Sequence, residues 1–442
     1  MTDFYPTTDY MPWGLIPRVE QFVARPRFRD ELPRLLAQDA DSPILCVGLR
    51  RSYGDSCVNA NGRLIDMTDV GRFVSADWKS GILKCDAGVS LDALLHFIVP
   101  HGWFVATTPG TRFVTIGGAI ANDVHGKNHH GQGSFGCSVL GIALLRTDGS
   151  THIVRPGDAL FNATVGGLGL TGLILEAEIE LTPIKSAFLD CERIPFKHVG
   201  EFFALAKESE VDFEHTVAWI DCTRTGEQVG GGIFQRANWC TDGELVPHDR
   251  DKAVSVPLSP PIRPVNRHTV KVFNRLYDWA QRRGDARSRT HYSSFFYPLD
   301  ALHHWNRLYG KRGFYQYQCV IPPKAQVDAV RDMLKIVSAS SEGSMLSVLK
   351  TLGPKTSGGV ISFPREGATL ALDFVNRGAA TLKLMGDLDG VVSRAGGRLY
   401  PAKDGRIPAS IFQSGYPNWR ELAKRKDPGM RSDFWERVSH EN

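Results

Sequence analysis

The sequence is short of several things that would each point to a particular class of protein. Its 8 cysteines (Cys46, Cys57, Cys85, Cys137, Cys191, Cys222, Cys240 and Cys319) include no CxxC pair. That spacing fits buried thiols and offers neither a disulfide framework nor a zinc site. No apolar run approaches the ~18 residues a membrane span needs. Within the first 30 residues Asp3, Asp9, Pro6, Pro12 and Pro17 break any signal core, so no secretory leader and a cytoplasmic location are expected, at most peripheral at the inner membrane. A net charge of +4 is too small to argue for nucleic acid. Neither GxxxxGK[ST] nor a Rossmann GxGxxG in a βαβ setting occurs, which excludes a P-loop and a nicotinamide fingerprint.

What remains is a 442-residue chain with 42% hydrophobic residues and 44 glycines, long enough for two or three domains. Short strands are predicted at 43–48, 63–66, 82–86 and 103–107, with a helix over 89–99 capped by Ser90. Segments 139–145 and 152–154 form a hairpin about Asp148-Gly149, and 173–181 alternates as a half-buried strand. Past Thr182-Pro183 the glycine clusters thin, and helices are predicted over 198–209 and 324–339. In 315–321 alternation puts Gln316 and Gln318 on one face and Tyr317 on the other. The fold class is α+β.

The segment 241–290 is proline-rich and basic, with eight Lys/Arg against two Asp in 261–290. Within it, 270–281 patterns as an amphipathic helix with Val272, Phe273, Leu276 and Trp279 near one face. A solvated loop, a mobile lid and a contact surface for anionic lipid headgroups all fit it.

Three glycine-rich stretches carry the chemistry. In 109–136 (PGTRFVTIGGAIANDVHGKNHHGQGSFG) seven residues are glycine, and backbone N–H groups can close on a ligand there. A cofactor with a pyrophosphate and a flat ring suits such a loop. His125, His129 and His130 invite a metal, but no HExxH helix or carboxylate pair accompanies them, so no metal is expected. In 46–56 (CVGLRRSYGDS) a strand ends in cations, hydroxyls and flexible backbone suited to a diphosphate. The third stretch is 164–172 (TVGGLGLTG). Lys403, in YPAKDGR, reads by itself as an exposed lysine paired with Asp404.

Together with FYPLD (296–300), WNRLYG (305–310), FYQYQCVIP (314–322) and GGRLYPAKDGR (396–406), these blocks resemble the flavoprotein oxidases of the decaprenylphosphoryl-ribose type, within the vanillyl-alcohol oxidase / PCMH-type FAD-binding superfamily. The resemblance implies a two-domain PCMH-type fold. Residues 1–188 and 396–442 would bind FAD, and 189–395 would form an antiparallel-sheet substrate domain. It implies FAD contacts from Gly48, Leu49, Arg50, Arg51, Ser52, Tyr53, Gly54, Asp55, Ser56, Gly110, Thr115, Ile116, Gly117, Gly118, Asn122, Asp123, Val124, His125, Ile174 and Tyr400. Arg51 stands where many superfamily members carry the histidine that bonds to flavin, so the FAD is expected to be non-covalent. Gln316, Gln318, Lys350, Arg307 and Phe296 would contact substrate, and His125, Tyr53 and Lys403 would be catalytic, with His125 the first candidate for the base. The implied reaction is hydride transfer from a secondary alcohol of a lipid-phosphate-linked pentose to flavin, giving a 2-keto sugar. A separate NAD(P)H-dependent short-chain reductase would complete an epimerisation. The sequence departs from the family pattern at Ala371, where many members have cysteine, at Thr369, which replaces an asparagine, and at Phe296, where tyrosine also occurs. Two alternatives are a soluble sugar, alditol or aldonolactone oxidase, and a flavin-binding protein without turnover.

Overall fold

The computed structural model describes residues 3–39, 41–250, 254–258, 265–340 and 342–440. Three sheets organise it. A small sheet runs in the order Tyr5–Thr7, Gln21–Ala24, Arg63–Asp66, Ile44–Val47, its last two pairings parallel. An antiparallel sheet follows, ordered Phe73–Asp77, Ile82–Asp86, Leu173–Pro183, Val139–Leu145, Thr151–Val154, with Trp103–Val105 on the far end of Leu173–Pro183. Local chemistry sets these elements where the sequence predicts them. Ser90 Oγ accepts from Ala93 N at 3.1 Å to start the helix Leu91–Ile98. The turn between Val139–Leu145 and Thr151–Val154 closes through Asp148 Oδ1, which accepts from Ser150 N, and through Gly149 at φ 83°.

The third sheet is eight-stranded and wholly antiparallel, in the order Arg287–His291, Phe188–Phe196, Gly232–Trp239, His215–Ile220, Ser347–Leu352, Gly367–Val375, Phe314–Ile321, Arg398–Leu399. Its strands have a period of two. Tyr317, Cys319, Leu349, Leu370 and Leu372 point into a core shared with the helices Val199–Ser209, Gln326–Ala339 and Ala379–Arg394. Gln316, Gln318, Lys350, Thr369 and Ala371 point the other way, into a cavity. The predicted helix at 270–281 is present as Arg267–Arg283. Residues 251–253 and 259–264, which belong to the basic, proline-rich segment 241–290, lie outside the described residues.

After joining the large sheet at Arg398–Leu399, the chain returns to the small one. Ile44 N donates to Gly429 O, Arg431 N donates to Ile44 O, and Arg437 makes two hydrogen bonds to the Asp55 carboxylate at 2.8 and 2.9 Å. Among the described residues no helix is long and apolar enough to cross a membrane.

Candidate active site

A cavity of about 730 Å³ runs from the small sheet to the open face of the eight-stranded sheet. Its near end is built by the loop after Ile44–Val47. The peptide N–H groups of Leu49, Arg50, Arg51 and Ser52 donate to no other group among the described residues, and Arg50 has φ 52°. A run of unused donors with one left-handed residue is an anion-binding nest. The loop packs tightly onto its neighbours. A Cβ on Gly48 would stand 2.2 Å from Thr115 Oγ1, the atom that caps the helix Ile116–Ala121, so glycine lets the two loops touch. On the other side Tyr53 N donates to Ala402 O at 2.8 Å, and a Cβ on Gly54 would lie 1.7 Å from Asp404 O. The Arg51 guanidinium lies 4.0 Å over the Trp13 ring and Nε donates to Phe113 O, while burial lowers its pKa to about 10.

At the far end stand groups whose ionisation is strongly shifted. The Gln318 carboxamide nitrogen, which can only donate, lies 3.0 Å from His125 Nε2 and 3.2 Å from Thr369 Oγ1. His125 Nδ1 faces Lys350 Nζ at 3.4 Å. Burial first and the Lys350 charge second hold the imidazole well below its usual pKa, so it is neutral. Burial also lowers Lys350 to about 8. Lys403 lies with Nζ 3.9 Å from the centre of the Tyr53 ring; burial lowers it to about 7, Asp373 opposing and Lys350 assisting. Burial raises Tyr53 well above the ordinary phenol range. Tyr400 stacks on Phe363 with centroids 4.3 Å apart and donates from its hydroxyl to Asn122 O, joining the sheet to the glycine-rich loop.

The structure brings most of the sequence-predicted residues to this cavity. Gly48 to Tyr53, Ser56, Gly110, Thr115, Gly117, Gly118, Asn122, Val124, His125, Ile174 and Tyr400 line it, as do Gln316, Gln318, Lys350, Phe296 and Lys403. Lys403 is thus no exposed partner of Asp404: that carboxylate accepts instead from Arg437. Five predicted contacts face elsewhere. Gly54 is packed on Asp404 O, and Asp55 is paired with Arg437. Ile116 is in the hydrophobic core. Asp123 accepts from Ser134, Ser357, Ser362 and Gly136 N, behind the loop. Arg307 donates to Val256 O and Pro257 O at 2.8 and 2.7 Å and is not part of the cavity wall. The sequence reading missed Trp219, whose strand carries no motif, and Asp373, whose carboxylate accepts from Gln316 Nε2.

The model of an FAD binding domain matches residues 21–155, which hold the nest and the glycine-rich loop. Over 408 residues, 89% of this chain and 88% of the relative, the sequence is 35% identical to decaprenylphosphoryl-β-D-ribose oxidase of Mycolicibacterium smegmatis. The chain belongs to this FAD-binding oxidase family. An uncharacterised protein of Streptomyces coelicolor is 29% identical over 77% of this chain and 96% of its own length. An alditol oxidase of a Streptomyces species is 23% identical over 38% of this chain and 41% of the enzyme. This oxidase-family chain accordingly has an FAD site, and its residues suit the group: unused backbone donors and arginines for a diphosphate, and a cavity of fitting size.

Proposed function

We propose that the chain oxidises a secondary alcohol, the ring 2′-hydroxyl of a polyprenyl-phosphate-linked pentose of the decaprenylphosphoryl-ribose type, to a 2-keto sugar. One observation carries this reading. Lys127 and Lys350 line the same cavity as the nest, with Arg50 and Arg51, and among the described residues neither lysine forms an ion pair. A cavity with a surplus of cations suits two phosphate-bearing ligands, the cofactor and a sugar phosphate. The similarity over 89% of the chain to an oxidase named for a phosphoryl-ribose supports the same substrate class.

FAD bound here, without a covalent link at Arg51, supplies the hydride acceptor. The protein supplies position and proton handling. Gln316, Gln318 and Lys350 present polar groups on one face of the large sheet to fix the sugar. Of the three candidate bases, His125 is too weak a base and Tyr53 too weak an acid to ionise. Lys403, near 7, is best matched to take the hydroxyl proton at neutral pH. A separate NAD(P)H-dependent reductase would return the ketone to an alcohol of opposite configuration, and the lipid-borne substrate implies work at a membrane surface.

The test is anaerobic titration of the flavin absorbance. Bleaching by decaprenylphosphoryl-ribose but not by small polyols is the expected result. Bleaching by alditols with steady peroxide formation in air would favour the soluble-oxidase alternative, and no bleaching by any alcohol would overturn the enzyme reading.

A further inference from the structure

The helix Arg267–Arg283 packs through one narrow strip. Val270 and Asn274 are buried, Asn274 Nδ2 donating to Asp221 Oδ1 at 2.9 Å, and the Tyr277 ring lies 4.7 Å from that of Trp219. The opposite side is apolar and bare: Val272 is 57% exposed, Phe273 40%, Leu276 60% and Trp279 55%. At 100° per residue Val272, Leu276 and Trp279 fall on one arc facing away from Val270 and Asn274, and Phe273 stands at its edge, toward the cavity. Exposed Lys271 and Arg275 fill the sector between the two faces, and Arg283, within the arc at the C-terminal end of the helix, sits 4.5 Å over the Trp279 ring. The helix carries five Lys/Arg and one acid, Asp278, which turns to Arg224 and Arg282.

This helix is also part of the cavity wall, through Phe273 and Tyr277. Leu302, another lining residue, pairs with Val254, which is 68% exposed. Bare apolar side chains therefore adjoin the cavity in two places.

We propose that the outward face of this helix is an interfacial docking element that seats the cavity mouth on an anionic lipid surface. An apolar arc with a tryptophan, bordered by cations, is the pattern of a helix lying in the headgroup layer. A second copy of the chain fits poorly, since self-pairing would bring the same cations face to face. The substrate end of the inference rests on the reading above: a polyprenyl tail would leave the cavity directly into the bilayer.

The experiment uses the full-length holoprotein and vesicles that contain no substrate, so its outcome is independent of turnover. The protein should sediment with phosphatidylglycerol/phosphatidylcholine vesicles at low ionic strength and scarcely with phosphatidylcholine alone. Leu276→Ser with Trp279→Ser should lower partitioning by about tenfold or more, with flavin absorbance and Tm retained. Lys271→Glu with Arg275→Glu should act in the same direction and abolish the salt dependence. The proposal is overturned if the parent stays in the supernatant with anionic vesicles, or if the serine variant sediments as the parent does. It is equally overturned if sedimentation equilibrium finds a dimer that the serine variant dissolves, since a second copy would then cover the face. Vesicle binding without bleaching would sink the substrate reading and leave the docking face; bleaching without vesicle binding would do the reverse.

Discussion

The Gln316 carboxamide nitrogen donates to Asp373 Oδ1 at 2.6 Å across adjacent strands. The ionised carboxylate only accepts, so in that state it holds the amide nitrogen of Gln316 toward Asp373. The other carboxylate oxygen, Oδ2, is buried without a hydrogen-bond partner among the described residues. Burial raises the Asp373 pKa to about 7, against Gln316, Lys403 and Tyr309, which favour the charged form.

Asp373→Asn keeps the volume and removes the fixed acceptor, so Gln316 can turn over. The expected result is a KM raised about tenfold or more with a smaller change in kcat, the worth of a hydrogen bond to a charged group. In the parent, KM should rise as pH falls through about 7, where the carboxyl protonates, and the Asn variant should lack that rise. A variant that binds flavin and keeps the parental KM at every pH would refute this role.

The same group gives a stability prediction. Its folded pKa, about 7, lies above the ordinary value of 3.8, so between the two the folded chain holds a proton that the unfolded chain has lost. Its contribution to stability therefore falls as pH rises through that window. Thermal melts should show Asp373→Asn gaining Tm relative to the parent from acid toward neutral pH; a constant difference would contradict it.

Lys403, lowered to about 7, must be neutral to accept a proton. The turnover number kcat should rise with pH through about 7. Lys403→Met should lose roughly 10²–10⁴-fold in kcat and lose that limb, while still binding flavin. Retention of the limb in the Met variant would point to another base.

Arg51 predicts how the cofactor leaves. Denaturation in urea or acid should release all of the flavin into the protein-free filtrate. Arg51→Ala should weaken FAD binding by about 10- to 100-fold, the worth of charge-assisted contacts to a diphosphate. Yellow colour that stays with the precipitated chain would disprove a dissociable cofactor.

Gly54→Ala would drive a methyl group into Asp404 O, 1.7 Å from the ideal Cβ. The cost is about 1–3 kcal/mol of overpacking, visible as a lower Tm. Because the displaced loop carries Lys403, kcat should fall as well. Unchanged Tm and kcat would mean that the loop yields freely.

Where a strand has one wet and one dry face, the sequence is sufficient. The alternation in 314–321 puts Gln316 and Gln318 on the cavity side, and the same period in 367–375 aligns Asp373 with Thr369 and Ala371, a signal that was there to be used. Thr369 also accepts from Gln318, a contact that no local pattern encodes. Loops have no period, so neighbours in one motif diverge: Ser52 and Tyr53 face the cavity while Gly54 and Asp55 turn to the C-terminal segment. Arg307 lies in a matching motif, but its guanidinium is taken by the carbonyls of Val256 and Pro257, acceptors about 50 residues distant that a local reading does not reach. For Arg267–Arg283 the sequence gives the apolar arc but not its direction, because helical periodicity is the same whether the arc packs inward or faces out.

The ion pair between Asp55 and Arg437 joins residues 382 positions apart. The cofactor loop thus leaves the ribosome long before the segment that holds it and delivers Lys403. At ~5–20 residues per second, that loop waits about 20–80 s for its partners. Until then its open donors have nothing to close against. Cofactor loading is accordingly a late event in the biogenesis of this chain, and a nascent polypeptide halted within the large sheet would be colourless.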